Sequence, residues 1–491
     1  MRYSGILMHI SSLPSPYGIG SLGRAAYQFA DFLKAAGQHY WQILPIGPTS
    51  YGDSPYQSFS TCAGNPYFID LDLLIEQGLL TREEVDAIDW PSDAGRVDYG
   101  FQFSVRFDLL YKAYERGRDR DADELRIFRE ENPWVEDYAM YMALKRANGM
   151  CSWETWPEEV RLRRPGALET YGITLSEDCS FFAYLQYLFY QQWERLSAYV
   201  HERGIELIGD LPIYVPYDSC DVWSNPSLFQ LDENGTPTGV AGCPPDYFAQ
   251  DGQLWGNPLY DWERMRQDDY AWWKERIRAA SRLFDVIRID HFRGLESYWA
   301  VPYGEATARN GRWVKGPGED FIRALKDAFP SLRLIAEDLG FLTEEVIRLQ
   351  ESSGFPGMKV LEFAFDSREP SNYLPHRYPR NCICYTGTHD NETLVQWLEG
   401  LPEQTTQYIM EYLRVRDAQD CADAILHAGS ASVADTFIAQ MQDYLGLGAE
   451  SRMNEPGTVS TKNWSWRMPA DALTDELAAK LRRMSELYER S

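Results

Sequence analysis

Asp285-Val286-Ile287-Arg288-Ile289-Asp290-His291 is the stretch whose reading decides the architecture. A short β-branched run bounded by polar residues reads as a strand, and the helical pattern from Arg264 to Leu283 leads into it. The same unit recurs in both directions along the chain. Strand-like runs cover Gly5 to Ile10, Tyr40 to Pro45, Ile205 to Ile208, Leu332 to Ala336, Met358 to Phe365, Cys382 to Thr386 and Ser432 to Ile438, which with Asp285 to Ile289 makes eight. Helical patterns stand between most of them: Ala26 to Ala36 closed by Gly37, Phe181 to Arg203, and Glu344 to Ser352. Such alternation implies a parallel sheet. Eight units with no Gly-x-Gly-x-x-Gly after a strand favour a closed barrel over a dinucleotide-binding sheet. The expected fold class is therefore α/β, a (β/α)8 TIM barrel.

The spacing of the units predicts insertions. From Pro45 to Ile205 lie about 160 residues, too many for one loop. The helical, charged segments Thr81 to Ile88, Phe103 to Arg116 and Pro133 to Ala147 suggest a mostly helical subdomain over 75–180. An active-site loop insertion is expected over 217–261, and a small helical one over 402–429. The whole of 1–491 then reads as one catalytic barrel with large, mainly helical insertions. Its last helix, capped by Thr474 and running to about Arg490, closes the barrel with no C-terminal β-domain after it.

Composition narrows the partners. The formal net charge of −27 repels phosphate backbones and anionic lipid, so neither nucleic acid nor membrane is an expected partner. No run of about 18 apolar residues occurs and the opening residues lack a signal-peptide core, which predicts a soluble chain. Eight scattered cysteines without a Cys-x-x-Cys pair suit a reducing cytoplasm. The 16 tryptophans and 31 tyrosines are mostly core by expectation, though aromatic rings also stack on sugar faces.

In a barrel of this kind chemistry gathers at the C-terminal ends of the strands. Four such ends carry acids: Asp210 after Leu207-Ile208-Gly209, Asp290, Glu337 with Asp338, and Asp390 after His389. Any one could cap a following helix; four caps together are a poorer explanation. Arg288 and Asp290 are two apart on a strand and project to one side. The guanidinium is expected to lower the Asp290 pKa and keep it ionised, as a nucleophile requires; Asp338 is expected to raise that of Glu337, as a general acid requires. Two such carboxylates are the apparatus of glycoside cleavage. A metal centre built on His291 and His389 is the rival, but His9-Ile10-Ser11 stands where metal-dependent barrels place His-x-His, so no metal and no cofactor are expected.

Arg288-Ile289-Asp290-His291-Phe292-Arg293-Gly294, Ile335-Ala336-Glu337-Asp338-Leu339-Gly340 and Thr386-Gly387-Thr388-His389-Asp390-Asn391 resemble the three catalytic stretches of the α-amylase clan. Further segments narrow the resemblance to the 4-alpha-glucanotransferase (amylomaltase, or disproportionating-enzyme) family. These are Gly52 to Phe59, Gly209 to Val215, Gly242 to Tyr260, Gln442 to Gly448, Met453 to Gly457 and Asn463 to Arg467. The resemblance implies Asp290 as nucleophile, Glu337 as acid/base and Asp390 as a third carboxylate on the donor sugar. It implies substrate contacts from Arg288, His291, Asp338, His389 and Asp210, with a glucan-binding rim of Ser54, Tyr56, Gln57, Asp246, Phe248, Trp255 and Asn257. The activity implied is transfer of an α-1,4-glucan segment from a donor to the 4-hydroxyl of glucose or a maltodextrin, by a retaining double displacement. A hydrolase of the same clan and a non-catalytic glucan-binding barrel are the alternatives. Oligomeric state stays open.

Overall fold

Tyr3-Ser4-Gly5-Ile6-Leu7 forms the first strand, and the chain returns beside it repeatedly, each time in the same direction. A computed structural model of the chain describes all residues except 1, 51, 246–249, 341, 366–370 and 491. In chain order the strands are β1 (Tyr3–Leu7), β2 (Tyr40–Gln42), β3 (Glu206–Leu211), β4 (Gly239–Cys243), β5 (Gln253–Pro258), β6 (Val286–Ile289), β7 (Ser297–Pro302), β8 (Arg312–Lys315), β9 (Leu334–Ala336), β10 (Gly357–Val360), β11 (Cys382–Tyr385) and β12 (Thr436–Gln440). Eight of them form a parallel sheet in the order β10-β11-β12-β1-β2-β3-β6-β9. The sheet curls until its two edges meet, where Ala336 N donates to Pro356 O at 2.9 Å. This is the TIM barrel. Every residue of β2, β6, β9, β11 and β12 is buried, because the strands are covered by helices outside and packed side chains within.

Local chemistry sets the helix limits. Asp98 caps the helix Tyr99–Gly117 through Phe101 N, and Thr81 with Glu84 forms a full capping box on Arg82–Asp86. Gly354, at φ 73°, ends Glu344–Ser353 in the left-handed conformation that glycine adopts without a Cβ penalty. Thr474 caps the last helix, Asp475–Leu487, accepting from Leu477 N at 3.1 Å. The long helix Ser176–Glu202 lies against β3 and carries the helical insertion on its other faces.

Two features differ from the sequence reading. The pattern from Arg264 to Leu283 is not one helix but two, Trp262–Gln267 and Ala271–Leu283. Asp269 and Tyr270 between them take φ values of 56° and 57°, and Tyr270 is tucked into the core, which turns the chain. The second feature is a four-stranded antiparallel sheet, β5-β4-β7-β8, beside the helical insertions. Its first half falls in 217–261, where a loop insertion is expected, because strands of four to six residues on an insertion carry no barrel period.

Candidate active site

Register brings the acids together. Asp210 on β3 pairs with Arg288 on β6, and Ile289 on β6 pairs with Ala336 on β9. Asp290 and Glu337 are therefore the next residues off two adjacent parallel strands. Their backbones stay knitted beyond the strand ends: Glu337 N donates to Ile289 O at 3.1 Å, and Phe292 N to Glu337 O at 3.0 Å.

Arg288 organises this floor. Its guanidinium is 2.6 Å from Asp210 Oδ2 and 3.0 Å from Asp290 Oδ1, while Nε lies 3.4 Å from Met358 Sδ. The side chain is 4 % exposed, so the two carboxylates supply nearly all the solvation it has lost. Tyr56 donates to Asp210 Oδ2 at 2.6 Å, and its ring stacks on His389 at 4.8 Å between centroids. His389 Nε2 lies 3.4 Å from Asp390 Oδ1, which also accepts from Asn454 Nδ2 at 2.7 Å. Trp464 leans against both Tyr56 and His389.

Glu337 is oriented by the backbone. His291, at φ 53°, is left-handed, a conformation in which histidine is over-represented. The turn aims His291 N at Glu337 Oε2 (2.7 Å), and Leu339 N reaches Oε1 (2.8 Å). Trp255 stands edge-on to the His291 ring at 4.8 Å and 90°. Burial, with Arg293 nearby, pushes the His291 pKa down to about 3, so this imidazole is neutral.

The acid pair is polarised differently from the sequence expectation. Burial raises the Asp290 pKa to about 6 despite the opposing Arg288, whereas the guanidinium alone was expected to lower it. The 31 % of this side chain that still meets solvent tempers that push. Glu337, 8 % exposed, is raised to about 7 by burial first, with Arg288 opposing and Asp290 adding to the rise. Asp338 is not among the causes. Its carboxylate turns away and accepts from Met358 N at 2.6 Å, at the start of β10. Burial is thus the main reason Glu337 holds its proton, and the carboxyl that adds to it is Asp290, across the strand pair, rather than its sequence neighbour. Both pKa values rise, and Glu337 titrates above Asp290, so Glu337 is the acid of the pair that favours the proton.

Ser54 Oγ accepts from Tyr56 N at 3.2 Å, and Gln57 N returns to Ser54 O at 3.0 Å, so the two hold the Tyr56 loop. Trp255 is half-buried and Asn257 buried, both on β5. Asp246 and Phe248 lie outside the described residues. Among the described residues no group of three or more His, Cys, Asp or Glu side chains is disposed to hold a metal ion. The sequence reading did not single out Asn454, Arg452, Met358 or Trp464. Arg452 donates to Asp390 O at 3.1 Å, so with Asn454 it clamps that residue from a distant segment. Asn454 and Trp464 did lie in strings that carried the family resemblance, which was the available signal.

The family model described as 4-alpha-glucanotransferase matches residues 8–474. The chain belongs to the 4-alpha-glucanotransferase family. A 4-alpha-glucanotransferase of Clostridium butyricum is 46 % identical over 98 % of this chain and 100 % of its own. One from Streptococcus pneumoniae is 48 % identical over 100 % of this chain and 97 % of its own. Among solved structures, amylomaltase from Streptococcus agalactiae in complex with acarbose superposes with a TM-score of 0.98 at 41 % identity, covering 100 % of both chains. As a 4-alpha-glucanotransferase, this protein transfers segments of α-glucan, and the reading as a plain hydrolase of the clan is not favoured. No helix among the described residues is long and apolar enough to cross a membrane.

Proposed function

We propose that Asp290 is the nucleophile and Glu337 the acid/base of a double displacement on α-1,4-glucans, with Asp390 holding the donor sugar. The observation that carries this reading is the juxtaposition of the two acids at adjacent strand ends, with Arg288 bound to one and close enough to act on both. Asp290 attacks the anomeric carbon as the C1–O4 bond breaks, and the Glu337 proton passes to the departing O4. An acceptor 4-hydroxyl then gives its proton to Glu337 as its oxygen displaces Asp290, restoring the α-linkage. The acceptor is glucose or a maltodextrin.

The surroundings support these roles. Asp210 and Arg288 fix the nucleophile. Two backbone N–H groups leave Glu337 no rotational freedom, and Asn454 with His389 sets the Asp390 carboxylate against the donor sugar's hydroxyls. Trp255, beside the neutral His291, offers an aromatic wall on which an acceptor sugar stacks. Asp338 braces the start of β10 by accepting from Met358 N. Eight free thiols agree with a cytoplasmic setting.

Incubation with maltotriose tests the proposal. Longer oligosaccharides together with glucose are expected; glucose and maltose without longer products would make the protein a hydrolase. Trapping of a glycosyl adduct on any carboxylate other than Asp290 would end the assignment.

A further inference from the structure

We propose that Asp443 is a positioning residue of this active site: its buried carboxylate pins both ends of the loop from Thr386 to Leu394, which presents His389 and Asp390 to the donor sugar. The inference rests on the role given to Asp390 above.

Asp443 lies in the short helix Met441–Tyr444 directly after β12, at the same barrel mouth as the catalytic acids, and is 4 % exposed. Thr386, just beyond β11, donates through Oγ1 to Asp443 Oδ2 at 2.6 Å. Leu394, the first residue of the helix Leu394–Gly400, donates through its backbone N–H to Asp443 Oδ1 at 2.8 Å. One carboxylate thus takes a donor from the residue where the loop leaves the barrel and another from the residue where it enters the next helix. Burial pushes the Asp443 pKa up to about 6, against the pull of these two donors, so at neutral pH the group is an ionised acceptor for both. Hydrogen bonds to a buried charge are the strong kind, and breaking them leaves both loop ends unsatisfied.

The stretch between the two pins is bonded mainly to itself. Asn391 Oδ1 accepts from Thr388 N and Thr388 Oγ1, each at 2.9 Å, and Asn391 N donates to Thr388 O at 3.1 Å. Asp390 N reaches Thr388 Oγ1 at 3.3 Å. These bonds make Thr388 to Asn391 one unit but do not fix that unit on the barrel. The segment that follows β12 does so. Gln440 Nε2 donates to Glu392 O at 3.2 Å, and Arg452 and Asn454 hold Asp390, so they secure the middle of the loop while Asp443 secures its ends. Gly387 shows how a shift at Thr386 would travel. A Cβ there would stand 2.5 Å from Glu362 Oε1, 3.0 Å from Asn391 Cβ and 3.1 Å from Gln440 Nε2. The backbone beside Thr386 is packed too closely to absorb a displacement, which passes on to the turn carrying His389 and Asp390.

Asp443→Ala, Asp443→Asn and Thr386→Val test this, each alone and combined with Asp390→Asn, in transfer from maltotriose to labelled glucose at enzyme concentrations high enough to read the slow variants. Asp443→Ala should lower kcat/KM for maltotriose by about tenfold or more, the scale of a misplaced reacting group, with the KM for glucose unchanged. The amide of Asp443→Asn can accept from Leu394 N and donate to the Thr386 hydroxyl oxygen, so that variant should stay within about threefold of wild type. Thr386→Val frees one end and should fall between the two. Because the carboxylate acts through Asp390, adding Asp443→Ala to Asp390→Asn should cost less than about threefold more, a coupling that general loosening of the fold would not give. Asp443→Ala at wild-type activity, Asp443→Asn as impaired as Asp443→Ala, or losses that multiply with that of Asp390→Asn would each overturn the inference. If Asp443→Ala does not fold, Thr386→Val decides: undiminished activity, or a loss that multiplies with that of Asp390→Asn, overturns it. Asp390→Asn alone is the control for the underlying reading. Wild-type kcat/KM there strikes the role of Asp390, whereas failure of the Asp443 and Thr386 variants beside an impaired Asp390→Asn strikes only the clamp.

Discussion

Two buried arginines sit at opposite ends of the same barrel and do different things. Arg288, at the C-terminal mouth, is held by the carboxylates of Asp210 and Asp290. Arg490, beneath the N-terminal ends of the strands, is fully buried and held by neutral oxygens: the backbone carbonyls Ser430 O at 2.6 Å, Ser432 O and Ala434 O at 2.9 Å and Tyr3 O at 3.0 Å, with the Ser432 hydroxyl at 3.5 Å. The pKa of Arg288 is raised well above its usual value by the two carboxylates, whose pull outweighs its burial, whereas burial pushes that of Arg490 down to about 10. On the proposed mechanism, one guanidinium stores charge next to the reacting atoms. The other stitches the segment before β12 to β1 and to the chain end. Partner charge, not residue type, separates catalytic from structural use.

The largest expected effect breaks the mouth. Asp290→Asn should lower maltotriose disproportionation by on the order of 10⁴-fold or more, as loss of a nucleophile does, with circular dichroism and Tm near wild type. The matching change at the base reverses the pattern. Arg490→Ala leaves four carbonyls without their donor and should cost about 3 kcal/mol in urea unfolding, while kcat at 25 °C stays unchanged. A drop in kcat with intact stability would mean that the base communicates with the mouth.

Protonation sharpens the contrast further. The folded-state pKa of Glu337, about 7, stands above its ordinary 4.5, so the native chain keeps a proton that the unfolded chain has released. That contribution to stability is complete below pH 4.5 and is lost as pH rises through 7. Relative to Glu337→Gln, the wild type should therefore lose on the order of 3 kcal/mol between pH 4.5 and 8, read from urea midpoints at both pH values. Parallel curves for the two proteins would remove the buried acid from the account. In activity the acid pair titrates jointly, and kcat/KM should peak between pH 6 and 7, with limbs near 6 and 7. The smallest effect is expected from Tyr56→Phe, which removes one hydrogen bond to Asp210 and should lower kcat/KM by about tenfold. An unchanged value would show that Arg288 alone suffices to hold Asp210.

The barrel was legible because its strands are buried on both faces and so read as short apolar runs, even where their limits shifted by a residue or more. The expected Met358 to Phe365 strand stops at Val360, and the chain then turns through Leu361–Phe363. Asp210, Asp290, Glu337 and Asp390 were visible as acids closing such runs. Their electrostatics were not, since the neighbour that raises Glu337 is Asp290, 47 positions away along the chain, and not the adjacent Asp338. Asn454, Arg452 and Trp464 reach the site from a segment with no periodic pattern, and the β5-β4-β7-β8 sheet is assembled from pieces on either side of β6.

The order of strand and helix, the family and the acids at the strand ends followed from sequence alone, because hydrophobic periodicity and short motifs are local properties. Which acid is pushed upward, which residues clamp Asp390 and which arginine serves chemistry were decided by tertiary structure. Desolvation and Coulomb interaction depend on distance through space, and barrel closure brings together groups that lie far apart along the chain.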